Sequence, residues 1–375
     1  MKLGQKARFR VKSGVATAAF VATIFVLSAN SGRAVAQAGA DGRGATGRGQ
    51  TAGRGGGGRA SAPLPKPVAS AAELKKLSGF TDPAALAYVD MAYETAGKTW
   101  PATLSFRCTA QMPHVVSGMA DPPATKVFDN LFYIGQADVG AWALNTSAGI
   151  ILIDALNNET DGRWIAEQMP AVGLDPKQIK FIIVTHEHGD HYGGAPYLKR
   201  TYGARIAASQ VAWDNMAKLA NSRTPAPTRE ADDVVLTDGG ALTLGDTTVT
   251  SVLTPGHTPG TVSLIFPAKF RGATVMTAEW GGNGVPFTLE GRQQFRAGVQ
   301  HFTEFTERAG VVAEIISHGD NDDLLARLER VRRLQDGQAN PFLIGRDSYM
   351  RYEAAMYFCA SADVAQSLAD ARAGK

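Results

Sequence analysis

The sequence predicts an α/β fold in which two sheets face one another and helices cover their outer sides. Three observations lead there. Strand-type and helix-type segments alternate from about Val127 to Leu334, the rhythm of layered α/β domains. Roughly the same rhythm occurs twice, although no sequence repeat relates the halves. Residues suited to holding metals follow strand-type runs at three separate places, and a sandwich of two sheets would collect those strand ends along one edge.

The chain of 375 residues suffices for one large domain or two modest ones. Lys2, Lys6, Arg8, Arg10 and Lys12 lead into an apolar run from about Val15 to Leu27, and Ala34-Val35-Ala36 fits a small-residue cleavage site. This order reads as a secretory signal peptide over 1–36. The other reading, an uncleaved anchor, needs a longer apolar core than this one. Nothing later in the sequence is long and apolar enough to cross a bilayer, so no membrane span is expected after cleavage. Export to the periplasm or out of the cell is the expectation. Residues 37–67 are rich in Gly, Arg and Pro and hold almost nothing apolar of any size. They cannot bury a core and are expected to form a disordered linker.

The formal net charge of +3 misleads. Residues 1–60 carry ten Lys/Arg and one Asp, which leaves 28 basic against 34 acidic residues in the body. A body with no basic excess weighs against a nucleic-acid partner. The two cysteines, Cys108 and Cys359, stand far from every histidine cluster in sequence, which disfavours a metal role. In an oxidising compartment they could pair, closing a loop worth roughly 4–5 kcal/mol. Otherwise they are two inert buried thiols.

Residues 68–125 form an N-terminal extension. Ala71 to about Gly97 is helical in character, with apolar faces from Leu74, Leu77, Phe80, Leu86, Val89, Met91 and Ala92 broken by the turn Thr81-Asp82-Pro83. Trp100 to Thr125 carries Cys108, prolines and His114, and no chemistry can be assigned to it; His114 reads as a loop or surface histidine. At Val127 the character changes, opening a domain expected over 126–335. Val127–Gly135 and Ala141–Asn145 read as neighbouring strands, and Gly149–Asp154 as a strand buried on both faces. Asp154 ends it, either bracing the loops of the site or capping a turn. A helix over Glu159–Met169 follows, and Asp175-Pro176 turns the chain into the run Phe181–Val184. Gly193-Gly194 permits a close turn before a helix at Pro196–Tyr202. Arg205–Ala208 is a strand, Gln210–Leu219 a helix and Ser222–Thr228 a loop. Strands are expected at Ala241–Leu244, Thr248–Leu253, Thr261–Phe266, Ala273–Thr277 and Val311–Ile316, with an amphipathic helix over Gln293–Ala309. Helices at Asp322–Leu334 and Arg346 to about Cys359 close the chain, the second within a C-terminal helical segment, 336–375.

The run Phe181–Val184 ends in Thr185-His186-Glu187-His188-Gly189-Asp190-His191, three histidines and two acids in six positions. Imidazoles and carboxylates this close together past a strand suit a borderline cation such as zinc. His186 and His188 can point the same way from an extended turn, and Asp190 and His191 can turn toward a second position. Five of the seven histidines, His186, His188, His191, His257 and His318, fall at strand ends. Any one alone would read as a core histidine; together they read as a metal centre.

His186-Glu187-His188-Gly189-Asp190-His191 resembles the HxHxDH signature of the metallo-β-lactamase fold superfamily. Thr254-Pro255-Gly256-His257-Thr258-Pro259-Gly260 resembles its second motif. The resemblance covers about Val127 to Leu334 and implies an αβ/βα four-layer sandwich with the site at its edge. It implies two zinc ions, one held by His186, His188 and His257 and the other by Asp190, His191 and His318. Many members carry a bridging aspartate in a Gly-Asp step after the next strand. This chain has Met276-Thr277-Ala278-Glu279-Trp280-Gly281 there instead. That departure resembles the β-lactamase subclass with His-His-His and Asp-His-His sites, and argues against the glyoxalase and acyl-homoserine-lactonase branches.

What the resemblance implies is an exported di-zinc hydrolase that opens a β-lactam, or a similar cyclic amide in a small-molecule substrate, and so confers antibiotic resistance. Two zincs would bring a shared water toward neutral pKa and hold a hydroxide, with Asp190 orienting it as the catalytic residue. Tyr192, Glu279 and Trp280 are candidates for contacting substrate; Tyr192 is equally a core candidate, and Glu279 is open to a metal or surface role. The alternatives are a zinc hydrolase of another lactone, ester or amide, and a zinc-binding protein without turnover.

Overall fold

Capping residues set the first helices. In the computed structural model, which describes residues 67–109, 119–219, 224–319 and 321–374, α1 (Ala71–Ser78) starts where the Ser70 hydroxyl accepts from the Glu73 amide. α2 (Pro83–Ala96) starts where Asp82 accepts from the Ala84 and Ala85 amides. The expected signal peptide, all but the end of the expected linker, and His114 lie outside the described residues. α3 (Pro101–Arg107) was not expected from the sequence. Its proline stands in the first turn, where a missing amide hydrogen costs nothing, so proline there starts a helix rather than barring one.

The first sheet runs in chain order: β1 (Thr125–Lys126), β2 (Leu131–Tyr133), β3 (Trp142–Thr146), β4 (Gly149–Ile153), β5 (Ile179–Ile183), β6 (Arg205–Ser209) and β7 (Val234–Leu236). The stretch expected as one strand, Val127–Gly135, is instead the turn and second arm of a hairpin, with Thr125 opposite Tyr133. Asp129-Asn130 makes the turn, and the Asn130 side chain accepts from the Lys269 amide. From β4 to β7 the strands are parallel. The intervening chain forms α4 (Glu159–Gln168), α5 (Gly189–Tyr192), α6 (Ala195–Tyr202) and α7 (Gln210–Ala217).

The second sheet contains β8 (Gly240–Leu244), β9 (Thr247–Leu253), β10 (Val262–Phe270), β11 (Ala273–Glu279) and β12 (Ala313–Ile315), in the order β12-β11-β10-β9-β8. It is antiparallel except where β12 joins β11. α8 (Leu289–Ala309), α9 (Leu324–Arg332) and α10 (Arg346–Arg372) complete the chain.

Alternation along the strands makes the layers. Ile151, Ile153, Phe181 and Ile183 from the first sheet meet Val262, Leu264, Phe266 and Ile315 from the second. On the far side of the first sheet, Leu152, Ile182 and Ile206 pack with Ile165, Leu198 and Trp213 from the helices. On the far side of the second, Val252, Ile265 and Ala278 pack with Phe295 and Phe302 of α8, Tyr352 and Met356 of α10, and Leu74, Val89 and Leu104 of the extension. The arrangement is the αβ/βα four-layer sandwich. α10 runs to Arg372, well past the expected end at Cys359. Of its buried residues there, Ala360, Ser361, Ala362 and Asp363 are small or polar, and only Val364 carries apolar signal. Cys108 and Cys359 are joined in a disulfide that ties the end of α3 to α10, with Cα atoms 4.6 Å apart. Among the described residues no helix is long and apolar enough to cross a membrane.

Candidate metal centre

β4 and β5 end side by side, with Ile153 opposite Ile183, and the chain past each end carries the polar residues. Asp154 follows β4 directly, with φ of 59°, a conformation that aspartate tolerates better than most residues. Its Oδ1 accepts from the Thr185 amide and its Oδ2 from the Thr185 hydroxyl, both at 2.9 Å. Oδ2 also accepts from His191 Nδ1 at 2.7 Å. Of the two roles open to Asp154, the structure supports the brace.

Past Thr185 the chain bends through His186 to an extended His188 and then makes the single turn of α5, which carries Asp190 and His191 into the second group. At Gly193, the residue that follows α5, a Cβ atom would fall 2.1 Å from the Asn157 carbonyl carbon, so only glycine lets the two segments meet. His257 arrives from the loop after β9. There Gly256 has φ of 151° and lies against Phe295 of α8. His318 arrives from the loop after β12.

These loops bring together two groups of three ligand atoms, His186 with His188 and His257, and Asp190 with His191 and His318; within each group the atoms lie within 4.8 Å of one another. In the first, His257 Nε2 is 3.1 Å from both His186 Nε2 and His188 Nδ1. In the second, His191 Nε2 is 3.2 Å from His318 Nε2 and 3.5 Å from Asp190 Oδ2. The rings of His186 and His191 are 3.8 Å apart, so the groups adjoin.

The remote nitrogens decide what these contacts mean. His186 Nδ1 donates to the Gly281 carbonyl at 2.9 Å, and His257 Nδ1 to the Gly284 carbonyl at 2.8 Å. His191 Nδ1 donates to Asp154, and His318 Nδ1 to the Asp138 carbonyl at 3.0 Å. With the proton fixed on Nδ1, each neutral imidazole turns the lone pair of Nε2 into the gap. Lone pairs facing each other at such separations repel unless a cation lies among them.

Protonation agrees for the first group. Burial, with the neighbouring imidazoles, holds His186 well below the ordinary histidine range. Burial, with His188, holds His257 down to about 3, and burial also lowers His188. These three rings are neutral at pH 7 and ready to coordinate. Burial opposes charge on His191 too, but Asp154 and Asp190 outweigh it and hold that ring up to about 10. Burial would raise Asp190, yet His191 and His318 keep it below the usual carboxylate range. In the second group a proton thus occupies the place a divalent ion would take. Nitrogen-rich and mixed nitrogen–oxygen donors in these numbers fit two zinc-like cations.

Glu187, between the two ligands of the motif, holds the scaffold instead. It accepts from the Thr258 hydroxyl at 2.6 Å, the Gly260 amide at 3.2 Å and Asn215 Nδ2 at 2.8 Å, locking the two motifs together.

The candidates for substrate contact fare differently from the ligands. Trp280 is buried against Phe295 and Phe302 on the helix-covered face of the second sheet. It follows Glu279 in sequence and therefore points the opposite way. Tyr192 is buried in the core under the first sheet, its hydroxyl donating to the Thr224 carbonyl at 3.3 Å. Glu279 is fully buried, belongs to neither ligand group, and neither of its carboxylate oxygens has a hydrogen-bond partner. For Tyr192 the core alternative holds, and a substrate-facing role for Trp280 and a surface or substrate-facing role for Glu279 are corrected. Burial, reinforced by Asp154, keeps the Glu279 carboxyl well above the ordinary range. The folded state therefore retains a proton that the unfolded chain releases. This stability is fully present below the unfolded value of about 4.3 and is lost as pH rises toward the folded value. Glu279→Gln is accordingly expected to melt close to the parent at about pH 4 and increasingly above it toward about pH 8, in thermal scans of metal-free protein. A gap that does not widen with pH would refute the assignment.

Nothing in the residue pattern marks the groups that orient the imidazoles, because Gly281, Gly284 and Asp138 act through backbone carbonyls. Arg107, which donates to Asn283 between those two glycines, was equally hidden.

A four-layer sandwich with adjoining three-histidine and Asp-His-His groups past its strand ends defines a class of proteins able to hold divalent metal. Residues 137–271 match the family model described as the metallo-beta-lactamase superfamily, and this part of the chain is a domain of that superfamily. Among solved structures, a subclass B3 metallo-beta-lactamase of Bradyrhizobium japonicum aligns with a TM-score of 0.56 at 24% identity, covering 68% of this chain and 97% of the other. A metallo-beta-lactamase of Cronobacter sakazakii aligns with a TM-score of 0.55 at 26% identity and the same coverage. In sequence, a hydroxyacylglutathione hydrolase of Rhodopseudomonas palustris is 33% identical over 126 residues, 33% of this chain and 44% of the relative. The chain thus matches less than half the length of that relative.

Proposed function

We propose that the protein is an exported hydrolase using two zinc ions to open a β-lactam or a similar cyclic amide. The observation that carries this reading is the pair of ligand groups, His186/His188/His257 and Asp190/His191/His318, with no carboxylate from β11 in either. Aligned solved structures named as β-lactamases support the fold half of it. Export is supported by the basic-apolar leader and by a disulfide, which persists in oxidising compartments.

When bound, two such ions supply a water acidic enough to attack near neutral pH and a Lewis acid for the carbonyl. The chain's own residues do the rest. The carbonyls of Gly281, Gly284 and Asp138 and the Asp154 carboxylate keep four imidazoles in one tautomer. Asp190, a third exposed at the mouth of the second group, is ionised and can accept a hydrogen bond from the attacking water, holding it in line. Oriented this way, the water enters the reaction without first losing rotational freedom.

A second reading, hydrolysis of an ester or thioester, is favoured by the similarity to a protein named as a hydroxyacylglutathione hydrolase. Turnover of a chromogenic cephalosporin and of an acyl-glutathione thioester, each with zinc and after chelation, separates them. Cephalosporin opening that chelation abolishes is the expected result. Chelator-sensitive turnover of the thioester alone would replace the first reading by the second. Zinc binding without turnover of either would point to a non-catalytic zinc protein.

A further inference from the structure

The loop Gly281–Gly284 supplies the carbonyls that fix His186 and His257. Its Gly281 amide donates to the Ser263 hydroxyl and its Gly282 carbonyl accepts from the Trp280 indole, and Asn283 is held from outside the loop. Arg107, at the end of α3 and 2% exposed, spends its guanidinium fork on it. Nη1 donates to the Asn283 carbonyl and Nη2 to Asn283 Oδ1, each at 2.9 Å. Asn283 is itself 3% exposed. The next residue after Arg107 is Cys108, bonded to Cys359 of α10. α3 is also tied to the loop that follows His318, through the Thr103 hydroxyl and Asp322.

A buried guanidinium is expensive unless its donors are met, and ion pairing is the usual recompense. Here both hydrogen bonds from the fork go to neutral acceptors on one residue, midway between two glycines that orient metal-binding imidazoles. The buried Glu314 and Glu353 carboxylates feel the Arg107 charge, but its hydrogen bonds go to the loop. Leu104 and Phe106, buried on the same short helix, already provide apolar cover.

We propose that Arg107 is a positioning residue for the ion held by His186, His188 and His257, and that the Cys108–Cys359 disulfide clamps it against the loop. The chain of contact is short. The disulfide fixes the end of α3, Arg107 fixes Asn283, and the carbonyls of Gly281 and Gly284 fix the two imidazoles. Loss of the fork lets the loop drift, and both rings lose the partner that holds their lone pairs on the ion. Groups that orient metal-binding histidines in this way typically change affinity by about 10–100-fold when removed. The inference rests on the two-ion reading of the site and is independent of any substrate.

The test uses the full chain stripped of metal and titrated with Zn2+ against a chromophoric chelator, and with Co2+ followed by its visible absorption. A His318→Ala background leaves the first group as the complete one and assigns the signal to it. Arg107→Gln is expected to weaken the ion there by about tenfold or more and to alter the Co2+ spectrum. Arg107→Lys, which keeps the charge and one bond, should fall between. Asn283→Ala, which removes one acceptor and leaves the chain otherwise intact, should weaken the same ion by less than Arg107→Gln and decides the matter if Arg107→Gln does not fold. A Cys108→Ser, Cys359→Ser double variant should weaken it in the same direction. Unchanged affinity and an unchanged spectrum in Arg107→Gln and Asn283→Ala, whatever their melting temperatures, would make the arginine a structural brace and overturn the proposal. Unchanged affinity in the double serine variant would overturn the clamp. Failure of the unaltered chain to bind either metal would instead defeat the two-ion reading.

Discussion

Asp190→Asn is expected to lower chelator-sensitive hydrolysis by about a hundredfold or more while leaving the first ion bound within a few-fold. Asp190 is the one oxygen donor among the six ligand side chains, and its Oδ2 lies 3.5 Å from His191 Nε2 and 3.9 Å from His318 Nε2. Asparagine keeps the size and a carbonyl oxygen but loses the charge. The second ion then has two neutral imidazoles and an amide to hold it, and the attacking water loses an anionic acceptor. Removing a positioned acid–base group costs about 10²–10⁴ in rate, and the weakened ion adds to that. The first group contains no atom of residue 190, so its affinity should barely move. Steady-state kinetics beside metal content per chain checks both halves. An unchanged rate would remove Asp190 from the chemistry. A lost rate with two ions still bound would assign it to the water rather than to the ion. A protein built only to hold zinc would show altered affinity and no rate to lose.

The six residues of the two groups were legible because histidines follow three strands by a few residues, and the chain just past a strand end is a place where local sequence and tertiary position coincide. The second motif was legible for the same reason, with Gly256 and Gly260 marking close approaches of backbone. What orients the ligands was not legible. A carbonyl such as that of Gly284 is offered by every residue type, so its use leaves no mark in composition. Trp280 was misplaced through the pleat: one step beyond Glu279, its ring faces the helices rather than the sheet interface. The turn at Asp129-Asn130 lay hidden inside an apolar run, which made β2 look like part of a long strand. α3 is only seven residues long and begins at a proline, so its stretch was left without an element, and the register of Arg107 against Asn283 depends on contacts between residues 176 apart. The end of α10 was lost where small residues replaced large ones at a helix–helix contact. The gross sandwich followed from alternation, and the errors fall where packing between distant segments overrode the local pattern.

Asp154 should be the least replaceable residue around the centre that touches no ion. Its carboxylate satisfies the buried Thr185 amide, the Thr185 hydroxyl and His191 Nδ1 at once, and Asp154 and His191 are both fully buried. Asp154→Ala leaves the Thr185 amide without its acceptor, at about 1–3 kcal/mol, and leaves the buried His191 ring with Asp190 as its remaining anion, where complete loss of a buried partner would reach about 3–5 kcal/mol. Alanine also sits poorly at φ of 59°. These losses share groups and do not add in full, so a net destabilisation of about 3–5 kcal/mol is expected, read from denaturant midpoints of the metal-free chains. Asp154→Asn tolerates the same backbone angle and offers one carbonyl oxygen, which can serve Thr185 or His191 but not all three donors. It should fold, lose less stability, and bind the second ion about 10–100-fold more weakly with the first ion unaffected. The contrast between the two variants is the test. Equal midpoints for Asp154→Ala and the parent would mean that the hydrogen bonds drawn to this carboxylate carry no weight, and an intact second ion in Asp154→Asn would mean that His191 is oriented by something else.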